Sequence, residues 1–130
     1  MNYLTIDDVY TIHQTMIAVG GGRGDIDDFT LLHSAVERPK ATFGGKDLYP
    51  TIFIKAAAML QSLVKNHPFD DGNKRTAYYS TKRFLLINGY DIPIKNEQII
   101  IKFMVSVDVK KQSVKNIAYW LTSHSKKTAI

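Results

Sequence analysis

The 130-residue chain contains no cysteine, which excludes a disulfide scaffold, a thiolate zinc site and a cysteine nucleophile together. Long apolar runs are missing as well. None approaches the roughly 20 residues needed to span a bilayer, and Ile99-Ile100-Ile101 is broken by Lys102. Asp7 and Asp8 stand where a signal peptide would be basic and then apolar. A soluble, cytoplasmic protein with no membrane association is therefore expected. Repeats, low-complexity tracts and linker-like stretches are absent too. With 45% hydrophobic and 22% charged residues, the chain has the composition of one ordinary globular domain over residues 1–130, long enough to bury a core.

What is present is an uneven charge. The formal net charge is +5. Residues 1–64 carry 5 basic and 7 acidic side chains, giving −2, while residues 65–130 carry 12 and 5, giving +7. A basic half suits an anionic partner: nucleic acid, a nucleotide phosphate or an acidic protein surface. It equally suits a solvated lysine face.

Hydrophobic spacing predicts an all-α fold. Thr5 can cap a helix over about 6–18, with Ile6, Val9, Ile12 and Met16 at helical intervals. The glycine-rich turn at 20–24 stops it. A second helix is expected over about 27–38, before Pro39. Residues 40–50, with adjacent glycines and closing Pro50, read as an exposed hairpin-like flap. The strongest helix, about 51–66, carries Phe53, Ala56, Leu60 and Leu63 as the centre of the core. Pro68 biases His67 away from helical angles and ends that helix. Further helices are expected over about 73–88, 96–107 and 113–123, with 124–130 a frayed tail.

Between the two best helices lies His67-Pro68-Phe69-Asp70-Asp71-Gly72-Asn73-Lys74-Arg75. The amides opening the second helix have no intrahelical partners and sit at the positive end of its dipole, a natural cradle for phosphate oxygens. Gly72 permits close main-chain approach, and Asn73 can cap the helix or bond the anion. Lys74 adds charge, and Arg75 adds charge with bidentate geometry. Asp71 is a suitable hard oxygen ligand for magnesium, which takes one or two carboxylates plus phosphates. His67 can accept a proton from a hydroxyl. Phe69 has no chemistry to offer and is expected to anchor the loop in the core. Together these parts describe phosphoryl-type transfer. Taken singly, a histidine at a helix end serves the dipole, and Asp-Gly-Asn makes a tight turn.

This segment resembles the Fic family signature, His-x-Phe-x-Asp/Glu-Gly/Ala-Asn-Gly/Lys-Arg, at all seven specified positions. Lys74 followed by Arg-Thr-Ala is similar to the death-on-curing (Doc) branch, as are the turn at 20–24 with Asp27 and Leu32-x-x-Ala35-x-x-x-Pro39. The resemblance implies a small helical domain whose central helix–loop–helix modifies a protein hydroxyl with a magnesium nucleotide. It makes His67 the base, Asp71 the metal carboxylate, Gly72 and Asn73 the anion cradle, Lys74 the branch-specific cation and Arg75 a phosphate clamp. Doc-type members transfer the terminal phosphate of ATP, and the implied target is a threonine of a translation elongation factor. The flap at 40–50 would hold the target segment as an added strand.

Two departures refine the expectation. AMP-transferring relatives carry a second Arg three residues after the first, and here that slot is Tyr78. With Lys74 in the glycine slot, this argues for phosphate transfer, with AMP transfer or a non-catalytic binding module as the alternatives. An inhibitory Ser/Thr-x-x-x-Glu is also absent: His33 precedes Glu37 and Pro93 precedes Glu97 by four residues. The brake is therefore expected in trans, from an antitoxin. Direct DNA recognition is not expected, because no reading helix stands out. The turn at 20–24 lacks the lysine of a P-loop and is expected only to stop a helix. His13 and His33 are expected as buried, hydrogen-bonded histidines, Trp120 as a core or groove residue, and Lys110, Lys111 and Lys115 as solvated.

Overall fold

The computed structural model describes residues 1–128. Helix α1 (Ile6–Gly20) starts on a capping box: the Thr5 hydroxyl accepts from the Asp8 N–H at 3.1 Å, and the Asp8 carboxylate accepts from the Thr5 N–H at 2.8 Å. Helix α2 (Phe29–Glu37) starts two residues later than expected because Asp28 serves as its cap, accepting from the Leu31 N–H. A single 3₁₀ turn, Arg38–Lys40, leads into a two-stranded hairpin of β1 (Thr42–Phe43) and β2 (Lys46–Asp47). Helices α3 (Ile52–Asn66) and α4 (Asn73–Leu86) follow, then β3 (Tyr90–Asp91), α5 (Glu97–Val109), α6 (Val114–His124) and β4 (Lys126–Lys127).

Helix α3 is the hub, packing against α2, α4 and α6. Its run Ala56-Ala57-Ala58-Met59-Leu60 is buried on every side, and the short alanines let neighbouring helices come close. One apolar cluster joins Val9, Leu32, Leu60, Phe69, Phe84 and Ile117. None of the described helices is long and apolar enough to cross a membrane.

The flap forms where expected, with Gly44 and Gly45 at φ 59° and 78° making its turn. Its attachment was not foreseen. Lys55 of α3, 2% exposed, reaches out of the core to the Pro39 carbonyl at 3.3 Å and the Asp47 carboxylate at 3.2 Å. Arg38 donates to the Tyr49 hydroxyl at 2.8 Å and to Ala58, Gln61 and Ser62 of α3. A buried ammonium held by one carboxylate is a fixed point, because releasing the partner leaves the charge uncompensated. Lys55→Met should therefore keep the core but loosen the hairpin. Hydrogen exchange at residues 42–47 is expected to quicken by about tenfold, the equivalent of roughly 1.4 kcal/mol of local opening. Unchanged exchange there would show that the hairpin holds itself.

The expected frayed tail is corrected. Lys126 and Lys127 pair antiparallel with Asp91 and Tyr90, and the Thr128 N–H donates to the Gly89 carbonyl at 2.8 Å. Two-residue strands carry too little pattern to be seen in sequence. Residues 129–130 lie outside the described residues. His33 is also corrected: it is exposed, near Phe29, because α2 buries Leu32, Ala35 and Val36 instead. Trp120 is half-buried in a surface groove between α5 and α6, stacked on Phe103 at 3.9 Å and on His124 at 4.1 Å. Lys110, Lys111 and Lys115 are exposed.

Candidate active site

Helix α3 ends on His67, whose backbone is left-handed at φ 51° and ψ 53°. Pro68 bars the right-handed helical region to its predecessor, and the left-handed alternative costs a non-glycine residue about 1–2 kcal/mol. The turn lifts the imidazole off the helix and leaves it exposed. At the other end, Gly72 caps α4 at φ 77° and has no side chain with which to satisfy the first-turn amides. His67, Asp70, Asp71, Gly72, Asn73, Lys74 and Arg75 line one open cleft of about 280 Å³. Phe69 is excluded from it and fully buried, as expected of an anchor.

Asn73 departs from its expected place. Its side chain is 5% exposed and clasps the loop from behind: Oδ1 accepts from the Phe69 N–H at 3.0 Å, and Nδ2 donates to the Phe69 carbonyl at 2.8 Å. Nδ2 also donates to Nδ1 of His67 at 3.1 Å. Only the main chain of Asn73 is left for an anion.

The two cations are engaged as well. Lys74 pairs with Asp108 of α5 at 3.3 Å, half-exposed on both sides. Arg75 turns toward the end of α1 and donates to the Met16 and Gly21 carbonyls at 3.1 and 3.3 Å. There it answers the negative end of the helix dipole. The berth exists because residue 20 is glycine: a Cβ there would overlap Nη1 of Arg75. Gly20→Ala should expel the guanidinium, with a stability loss of about 1–2 kcal/mol for the two bonds. Arg75→Ala added to Gly20→Ala should cost little more, since the same bonds are already gone. Additive losses in urea unfolding would refute the shared berth.

The residues that sequence reasoning missed lie behind the loop. The turn at 20–24 does more than stop α1. The Arg23 N–H donates to Oδ2 of Asp71 at 2.8 Å, and Gly22 comes so close that a Cβ there would meet Cβ of Asp71 at 2.9 Å. Asp27 and Asp28 donate N–H bonds to the Pro68 carbonyl, the Asp70 N–H donates to the Asp25 carbonyl, and Ile26 bridges Phe69 as an isolated β pair. The Arg23 guanidinium bonds Asp25 and lies 3.6 Å from Asp70; these carboxylates hold its proton more firmly than usual. His13 of α1, buried as expected, stacks on Phe69 at 3.6 Å and donates Nε2–H to the Asp71 carbonyl at 2.7 Å. Its helical spacing was visible in the sequence, but nothing there showed which turn it faced.

Asp71 is exposed, with one carboxylate oxygen held by Arg23 and the other without a hydrogen bond among the described residues. No group of three or more His, Cys, Asp or Glu gathers among the described residues to form a protein-only metal cage. This donor set fits magnesium, which retains waters and shares its ligands with phosphates. A second cleft, about 380 Å³ and largely apolar, shares Lys74 and Arg75 with the first and extends between Met16 and Val19 of α1, Tyr79 of α4 and Ile101 and Met104 of α5. Tyr78, the residue in the second-Arg slot, is 1% exposed, and burial pushes its phenol above the usual range.

The model of the Fic/DOC family matches residues 3–85. One relative, named Toxin Doc, from Mycolicibacterium smegmatis, is 47% identical over 90 residues, covering 69% of this chain and 67% of that one. The family match includes both the 67–75 loop and the α1 segment that braces it, and with this relative it shows that the chain belongs to the Fic/DOC family.

Proposed function

We propose that this protein is the toxin of a toxin–antitoxin pair, a magnesium-nucleotide-dependent transferase that phosphorylates a serine or threonine hydroxyl of a target protein. The observation that carries this reading is the exposed His67 ring at the edge of a cleft floored by an uncapped helix start. The first-turn amides of α4 and Arg75 hold the transferring phosphate and stabilise charge developing on it. Asp71 would hold magnesium, which neutralises phosphate charge when bound. The target oxygen forms a bond to the terminal phosphorus as the bond to the bridging oxygen breaks. The hydroxyl proton passes to His67, and the nucleoside diphosphate leaves. The neighbouring apolar cleft offers a nucleoside a dry surface connected to the phosphates through Lys74 and Arg75.

Phosphate rather than AMP transfer is supported by Tyr78, which lies in the core where AMP-transferring relatives carry an arginine, and by Lys74 in the cleft. By family resemblance the target is a translation elongation factor, whose modification arrests translation. The exposed flap, with Phe43 82% exposed, would take the target segment as an added strand. The name Toxin Doc, carried by the relative, and the lack of an internal Ser/Thr-x-x-x-Glu both support an antitoxin in trans.

The test is to incubate the purified protein with magnesium, cell extract and ATP labelled at either the alpha or the gamma phosphorus. Label entering protein from gamma alone is expected. Label from alpha alone would establish AMP transfer, and none from either would leave a binding module. In the same assay Asp71→Ala should raise the magnesium needed for half-maximal transfer by about tenfold or more. An unchanged magnesium requirement would remove Asp71 from the metal's ligands.

A further inference from the structure

We propose that Asn73 is the positioning residue of the candidate base, and that in the ligand-free protein it holds His67 with its proton on Nε2. The argument begins from the orientation of the carboxamide. Phe69 presents both an N–H and a carbonyl to Asn73, so only one placement of the amide satisfies both: Oδ1 on the N–H and Nδ2 on the carbonyl. Exchanging oxygen and nitrogen would set donor against donor and acceptor against acceptor in a site 5% exposed. The second hydrogen on Nδ2 is thereby directed at Nδ1 of His67, 3.1 Å away.

A nitrogen that accepts such a bond carries a lone pair, so a neutral ring must bear its one proton on Nε2. His67 then shows the cleft a donor, suited to an anion resting among the α4 amides, Lys74 and Arg75 and across from Asp70 and Asp71. An alcohol cannot lose its proton to Nε2 in that state. The proton on Nε2 must first leave to water and another must arrive on Nδ1, which turns two donors toward each other and ends the Asn73 contact. The base is assembled by exchanging that bond, and Asn73 decides when it is available. This rests on the proposed transferase reading only for the use made of the lone pair; the tautomer itself is a property of the free protein.

The experiment is a long-range ¹H–¹⁵N spectrum of the full chain labelled at histidine nitrogen, at neutral pH without nucleotide. His67 is assigned by its absence from His67→Ala. The wild type should show the Nε2–H form. Asn73→Asp keeps an acceptor for the Phe69 N–H but places a carboxylate oxygen against Nδ1, and should convert His67 to the Nδ1–H form while His33 and His124 stay as they were. A wild-type ring protonated on Nδ1 overturns the proposal, and so does an Asn73→Asp ring that keeps the wild-type tautomer in a protein whose other histidine signals are intact. Should Asn73→Asp fail to fold, the wild-type spectrum alone decides. Because no substrate is present, absence of any transferase activity would sink the proposed function and leave this result standing.

Discussion

Replacing His67 with alanine is expected to lower transfer to the target protein by about 10²–10⁴-fold, the usual weight of a positioned general base, while the folded structure survives. The separation follows from where the ring sits. It is exposed at the end of α3, and its one hydrogen bond among the described residues, from Asn73, is secondary to the two that Asn73 makes with Phe69. Losing it costs at most about 1 kcal/mol. His67→Gly sharpens the test. It removes the ring equally, but also relieves the left-handed backbone at φ 51°, so it should be more stable than His67→Ala by up to about 1 kcal/mol and equally inactive. Activity in both variants within about tenfold of wild type would mean that some other group takes the proton. Loss of the near-native thermal transition in both would mean that His67 is a structural residue.

The helices were legible because each rests on a local rule. Thr5, Thr51, Asn96 and Ser113 all serve as caps, and helix boundaries differ from the spacing-based expectation by about two residues. The 67–75 loop was legible because its chemistry is contiguous in sequence. What could not be read was everything contributed from a distance. The turn at 20–24 looks like a helix stop, and locally it is one; its hydrogen bond to Asp71 and its ion pair with Asp70 appear only when α1 packs against α4. Asn73 looked like a phosphate ligand because its type suits either an anion or a cap. The side chain does neither, because the Phe69 main chain, four residues back in a loop of unknown path, takes both its oxygen and its nitrogen. Nothing local in the sequence marks Lys55, and only the return of the flap makes it a buried anchor.

The second large effect is expected at His13, which does not line the cleft but holds the Asp71 main chain from behind. His13→Ala should lower stability by about 3 kcal/mol, combining the loss of a fully buried ring stacked on Phe69 with an unsatisfied Asp71 carbonyl. Transfer should fall by about 10²-fold, since Asp71 and Gly72 would shift by ångströms relative to His67. A pH dependence identifies the cause. Burial chiefly holds the His13 imidazole neutral, against the raising effect of its bond to Asp71, so its folded pKa lies below the 6.5 of an unfolded chain. Below pH 6.5 the unfolded chain therefore takes up a proton that the folded protein refuses, and stability drains away as pH falls toward the lowered folded value. Above pH 6.5 that contribution is fully present. His13→Phe keeps most of the volume and the stack but has no proton to take up. Its urea midpoint should sit below wild type at pH 7.5, and the gap should narrow by pH 5. A gap that holds constant across that range would mean that folding leaves the proton affinity of His13 unchanged, and a gap that widens toward pH 5 would mean that folding raises it; either would show that burial does not set its charge.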